Sequence, residues 1–131
     1  MKTLGLYLHI PFCLSKCRYC DFYSLPESGK AIPDRYIDAL CRHMDDYALQ
    51  AKDYAVTTVY FGGGTPSLLT PEQMKRLMKK LKSTFGLSGK CEISMESNPK
   101  TADYAKLHAF RKLGINRLSI GVQSFDDADL S

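Results

Sequence analysis

A chain of 131 residues, 44% hydrophobic and 24% charged, has the makeup of one soluble globular domain. No apolar run approaches the roughly 18 residues of a membrane helix, and the start Met1-Lys2-Thr3 lacks the pattern of a signal peptide. The formal charge of +4 is spread along the chain, a weak argument for nucleic acid, which is not expected as a partner; an anionic small molecule would be served equally well.

The predicted elements alternate. Residues 4–9 are short, apolar and stopped by Pro11, and read as a buried strand. A cysteine-bearing loop follows, then a polar linker over 24–30 with Pro26 and Gly29. Tyr36, Ile37, Leu40, Met44, Tyr47 and Ala48 fall on one side of a helix reaching about residue 51, with Pro33 and Asp34 suited to its first turn. Residues 55–61 are β-branched and aromatic, hence a strand, and run straight into Gly62-Gly63-Gly64. The next helix has Thr70 as cap, Pro71 at its first position and Gln73 three residues past the cap, and Gly86 ends it after Phe85. Its basic stretch over 75–82 carries Leu77, Met78 and Leu81 at helical spacing and reads as a solvated face over a buried stripe. Residues 91–96 form a third strand stopped by Asn98-Pro99. Residues 103–113 form a third helix stopped by Gly114, 117–122 a fourth strand, and 126–130 the opening turn of another helix.

This order predicts an α/β fold of parallel strands joined by right-handed crossovers. A parallel sheet needs cover on both faces or closure into a barrel. Four strands do neither well, and the chain stops where a helix should begin. Residues 1–131 are therefore expected to be a truncated piece of a longer domain and to fold poorly alone, because the fourth strand leaves an exposed edge. A complete four-stranded open domain is the alternative.

With no exported compartment implied, a reducing cytoplasm is expected and disulfides are not, so the five cysteines need another reason to exist. Cys13, Cys17 and Cys20 stand at spacings of four and three residues. Three thiolates so spaced can reach three irons of one cubane, whereas an ordinary electron-transfer cluster takes four cysteines. Phe22 stands where a fourth might have followed, which leaves one iron to a non-protein ligand. Zinc is the rival, although it would prefer paired CxxC units or nearby histidines. Cys41 and Cys91 lie on other elements and read as buried structural thiols. His9 points to the core or a cavity rather than clearly to the metal, and His43 and His108 read as surface or satisfied histidines. The cysteine spacing alone leaves zinc open.

Four motifs settle more. His9-Ile10-Pro11-Phe12-Cys13 opens the CxxxCxxC run. Tyr60-Phe61-Gly62-Gly63-Gly64-Thr65-Pro66-Ser67 follows, then Glu92-Ile93-Ser94-Met95-Glu96-Ser97-Asn98-Pro99, then Arg117-Leu118-Ser119-Ile120-Gly121-Val122-Gln123-Ser124-Phe125. Together, in this order and across the whole chain, they resemble the radical S-adenosylmethionine superfamily, and more narrowly its oxygen-independent coproporphyrinogen III oxidase-like group. Each motif also follows or ends a predicted strand, at the rim where β/α barrels place their sites.

The resemblance implies the amino-terminal four βα-type units of a partial (β/α)6 barrel, with the remaining strands and a carboxyl-terminal domain absent from 1–131. It implies an oxygen-sensitive 4Fe–4S cluster on Cys13, Cys17 and Cys20, with S-adenosylmethionine on the open iron through its amino and carboxylate groups. Gly63, Gly64 and Thr65 would meet its methionine end, Glu96 an ammonium or ribose hydroxyl, and Gln123 a further polar group. Tyr7 and Tyr19 would flank the cluster loop. The blander readings are a plain βα turn, a surface glutamate and glutamine, and core tyrosines. The reduced cluster would pass one electron to the sulfonium, breaking the C5′–S bond to give methionine and a 5′-deoxyadenosyl radical. A flavodoxin- or ferredoxin-type protein would supply the electron.

Within the group, the resemblance leaves two functions of different class. One is a heme chaperone that carries heme as cargo to a membrane-associated respiratory client. The other is an oxidase that decarboxylates coproporphyrinogen III. Oxidases carry a further cysteine two residues past the third, where this chain has Phe22, and an aromatic Phe where it has Tyr19. Both departures, and Glu96-Ser97-Asn98-Pro99, favour the chaperone branch. A heme-degrading radical methyltransferase relative is a third, weaker reading.

Overall fold

The computed structural model describes residues 2–12, 32–97 and 103–120. Strand β1 (Lys2–Ile10) sends Leu4, Leu6, Leu8 and Ile10 to one face and Thr3, Gly5, Tyr7 and His9 to the other. Only the first face is covered, so the strand is half-buried rather than fully buried as its apolar run suggested. Helix α1 (Asp34–Ala51) starts earlier than the apolar periodicity, because Pro33 stands at its N-cap with extended backbone. It buries Ile37, Met44 and Ala51, with Leu40 and Cys41 partly buried beside them. Tyr47, expected on this stripe, lies at its margin, is 57% exposed, and meets His43 edge-on.

Strand β2 (Tyr54–Gly63) pairs in parallel with β1 and places Val56, Val59 and Phe61 against the helices. The register shifts between Leu4 and Gly5; a Cβ at position 5 would sit 2.7 Å from Thr58 Oγ1, so the slip needs glycine there. A 3-10 turn, Pro66–Leu68, intervenes before helix α2 (Pro71–Phe85). The expected capping box is present in both directions between Thr70 and Gln73, and Gly86 closes the helix with φ of 60°. Strand β3 (Glu92–Ser97), helix α3 (Tyr104–Leu113, capped by Asp103) and strand β4 (Arg117–Ile120) complete the described chain.

Between α3 and β4, Asn116 acts as a surrogate strand residue. Its backbone N–H donates to the Ile93 carbonyl (2.9 Å), its Oδ1 accepts from Ile93 N (2.8 Å), and its Nδ2 donates to the Cys91 carbonyl (3.0 Å).

The four strands are parallel in the order β1-β2-β3-β4. All three helices share one core with the same sheet face, built on Phe61, Met95, Met74, Leu77, Leu81 and Phe110. Sequential order with helices on one face is the winding of a barrel wall; a doubly wound sheet would reverse its order at a switch point. The opposite face carries Tyr7, His9, Tyr60, Glu92, Ser94, Glu96, Arg117 and Ser119, and no described element covers it. Ion pairs Arg76–Asp38 and Lys80–Asp45 bridge α1 and α2 at the surface and contribute little. On the helix side of β4, Leu118 and Ile120 remain exposed at the sheet edge. No described helix is long and apolar enough to cross a membrane.

Candidate functional site

Parallel pairing brings the carboxyl-terminal ends of all four strands to one edge, and the uncovered face meets that edge at residues 7–9, 60–64 and 96. Register fixes who meets whom. Tyr7 lies opposite Tyr60, Tyr60 opposite Ser94, and Ser94 opposite Arg117; nearer the rim, His9 lies opposite Gly62 and Glu96 opposite Ser119.

Two tyrosines and one carboxylate organise this face. The Tyr7 and Tyr60 rings stack at 5.9 Å with 13° between their planes. The Tyr60 hydroxyl donates to Glu96 Oε1 (3.0 Å). Burial and then the bond to Glu96 push the Tyr60 phenol above its ordinary range, with Ser119 pulling the other way. Burial and the Glu96 charge raise Tyr7 as well. Both phenols are therefore protonated at neutral pH, and Tyr60 serves as a donor that holds Glu96 in place. A carboxylate has about four acceptor positions, and Tyr60 takes one of them. Tyr7 OH lies 3.3 Å from His9 Nδ1. Farther from the rim, Arg117 pairs with Glu92 (2.7 Å).

The glycine turn has a steric reason for each of two residues. A Cβ at Gly62 would come within 2.9 Å of both tyrosine rings. Gly63 has φ of 114°, and its Cβ would press on His9 Nδ1 and the Ile10 carbonyl at 2.9 Å. The two glycines let this strand end pack directly against Tyr7, Tyr60 and His9. The next two residues do something else: Gly64 N donates to the Ile10 carbonyl (2.8 Å) and Thr65 N to the Phe12 carbonyl. They prolong the β1–β2 ladder past the end of β1 and fix the chain as it leaves for Cys13. Thr65 is only 6% exposed, and its carbonyl accepts from Leu68 N to start the 3-10 turn. Behind that turn, Lys106 Nζ donates to the Ser67 carbonyl (2.8 Å), and burial lowers its pKa against the opposing charge of Asp103.

Phe12 is fully buried, edge-on to Tyr36 at 5.1 Å, and the Tyr36 hydroxyl donates to the His9 carbonyl. The start of α1 is thereby packed against the exit of β1.

Tyr7, Gly63, Gly64 and Glu96 thus share one rim, with Thr65 just inside it. Cys13, Cys17, Cys20, Tyr19 and Gln123 lie outside the described residues. Among the described residues, no group of His, Cys, Asp and Glu is placed to hold a metal ion, so Cys41, Cys91, His9, His43 and His108 offer no rival site there. The described residues fit the polar end of a small cofactor: a strand end built of glycine, an oriented carboxylate, and an exposed tyrosine ring beside both. Tyr60 and Ser119 escaped the sequence reading as site residues. The signal for Tyr60 was its parity, two positions before Gly62 and hence on the same face.

The profile of the Radical SAM superfamily matches residues 7–130. Heme chaperone HemW of Buchnera aphidicola subsp. Schizaphis graminum is 40% identical over 126 residues, covering 96% of this chain and 34% of that protein. Heme chaperone HemW of Escherichia coli is 40% identical over 130 residues, covering 99% and 34%. Among solved structures, coproporphyrinogen III oxidase (HemN) from Escherichia coli, a radical SAM enzyme, matches with a TM-score of 0.81 and 35% identity over 97% of this chain and 29% of that one. The chain spans about a third of the length of these curated relatives.

Proposed function

The chain belongs to the radical S-adenosylmethionine superfamily, and from that premise we propose that its rim binds a 4Fe–4S cluster through Cys13, Cys17 and Cys20 and S-adenosylmethionine beside it. Residues 1–131 then form part of the radical SAM core domain. The observation that carries this reading is the joint placement of Tyr7, the Gly62–Gly63 turn and the Tyr60-held Glu96 at the strand ends from which the chain leads to Cys13.

In this reading, the methionine end meets Gly63, Gly64 and Thr65, the first two of which present backbone with no Cβ. Glu96, oriented by Tyr60, accepts from an ammonium or a ribose hydroxyl. Tyr7 and Tyr19 shield the site, and Gln123 adds a neutral donor and acceptor. When bound, the cluster and S-adenosylmethionine supply one-electron reductive cleavage of the sulfonium. A flavodoxin- or ferredoxin-type reductant in the cytoplasm would deliver the electron.

For the whole protein we favour heme as cargo, delivered to a membrane-associated respiratory client. The HemW relatives at 40% identity support this, as does Phe22 in place of a further cysteine. The likeness to HemN supports the second reading, oxidative decarboxylation of coproporphyrinogen III.

The test is anaerobic reconstitution followed by separate incubation with heme and with coproporphyrinogen III. We expect about four irons per chain, stable heme binding without turnover, and no cluster in Cys13→Ala. Decarboxylated product would replace the chaperone reading with the oxidase one. An intact cluster spectrum in Cys13→Ala would remove the cluster assignment.

A further inference from the structure

We propose that Gln73 is a positioning residue that fixes where the chain re-enters the fold after the cysteine-bearing stretch, residues 13–31. The proposal rests on the cluster reading above. Gln73 is 7% exposed and makes four hydrogen bonds. Two belong to the cap of α2: its Oε1 accepts from Thr70 N (3.0 Å), and its backbone N–H donates to Thr70 Oγ1 (3.1 Å). The other two leave the helix. Nε2 donates to the Ile32 carbonyl (2.7 Å) and to Asp34 Oδ1 (3.0 Å), the point where the chain enters α1.

On the far flank, Gly64 and Thr65 hold the Ile10 and Phe12 carbonyls. The short connection over 64–73 therefore grips the chain on both sides of Cys13, Cys17 and Cys20. Closing a segment between fixed ends lowers the ordering cost of bringing three thiolates together.

The residue type separates this role from capping. A glutamate at the third helical position completes a capping box as well as glutamine does, and a negative charge suits the first turn. Only the amide has a donor to offer Ile32 and Asp34. A carboxylate would place a second negative charge against Asp34 and leave the Ile32 carbonyl without this partner.

The experiment compares the full chain with Gln73→Glu, Thr70→Ala and the double variant Gln73→Glu/Asp34→Asn. In the apo chain, hydrogen exchange is followed by peptide across 10–35 and across the first turn of α2. After anaerobic reconstitution, iron release to a ferrous chelator is timed. Gln73→Glu is expected to speed both exchange across 13–34 and iron release by at least about tenfold, the value of the charge-assisted bond to Asp34 alone, while the first turn of α2 stays protected. Thr70→Ala, which leaves the Gln73 amide and both of its partners at 32 and 34 in place, should fray the first turn of α2 and speed iron release less than Gln73→Glu does. The Asp34→Asn change returns an amide from the other partner, so the double variant should recover most of the loss.

Parental behaviour of Gln73→Glu, or equal iron loss in Thr70→Ala, overturns the proposal. If Gln73→Glu does not fold, Gln73→Met replaces it, with Thr70→Ala as the measure of the lost cap. A parent that binds no iron removes the cluster reading, and the exchange measurement still decides whether Gln73 fastens this flank.

Discussion

The two faces of the sheet come from the same four strands, residue by alternate residue, and they have opposite chemistry. Phe61 and Met95 on the covered face belong to the apolar core and are fully buried. Tyr60 and Glu96, one position away on the same strands, make a hydrogen bond on a face that no described element covers. Apolar burial resides on one face and side-chain hydrogen bonding on the other, and a one-residue step along the chain moves between them.

The division is tested most severely at Phe61 and Tyr60. Phe61→Ala should cost about 3–5 kcal/mol of stability in denaturant unfolding, from lost burial and the cavity left behind. Tyr60→Phe should cost under about 1 kcal/mol, since the ring and its stack with Tyr7 survive. It should weaken the proposed S-adenosylmethionine binding about tenfold, the value of the charge-assisted bond that holds Glu96. Equal stability losses for the two variants would erase the distinction between the faces.

The smallest effect is in pH. Burial, and then the Glu92 charge, raises the Cys91 thiol above its ordinary 9.0; Tyr7 and Tyr60 are raised above 10.0, as is Tyr36 on α1. For each group the fold favours the neutral form. Their stabilisation is fully present below about pH 9 and is lost as pH climbs through the raised values. Lys106 runs against this, because its lowered pKa makes the fold gain as it deprotonates. Thermal melting against pH should therefore decline from about pH 9 in the parent and from about pH 10 in Cys91→Ala. Identical profiles would deny the thiol its part.

Much of the fold was legible because its signals are local. Thr70, Pro71 and Gln73 announce α2, Gly86 and Gly114 end helices at positive φ, and the β-branched run over 55–61 marks β2. The 3-10 turn at Pro66–Leu68 was not, since three residues carry no periodicity. Neither was the register slip at Gly5, which depends on Thr58, a residue of another strand. At the site, Gly63 was readable because its backbone excludes other residues. Tyr60 was hidden inside an apolar strand, and its role emerges only when β3 brings Glu96 alongside. Gln73 was visible as a cap, but its grip on Ile32 joins residues 41 positions apart.

Asn116 bears on all of this. A strand that slips by one residue against its neighbour turns every side chain to the opposite side. Strand β4 is four residues long and has little apolar burial of its own to resist slipping. The Asn116 amide, bonded on both sides to the backbone around Ile93, acts as a mechanical stop at the start of that strand. It indexes Ser119 to Glu96 and Tyr60 from a distance, by fastening the start of one strand to the backbone of its neighbour.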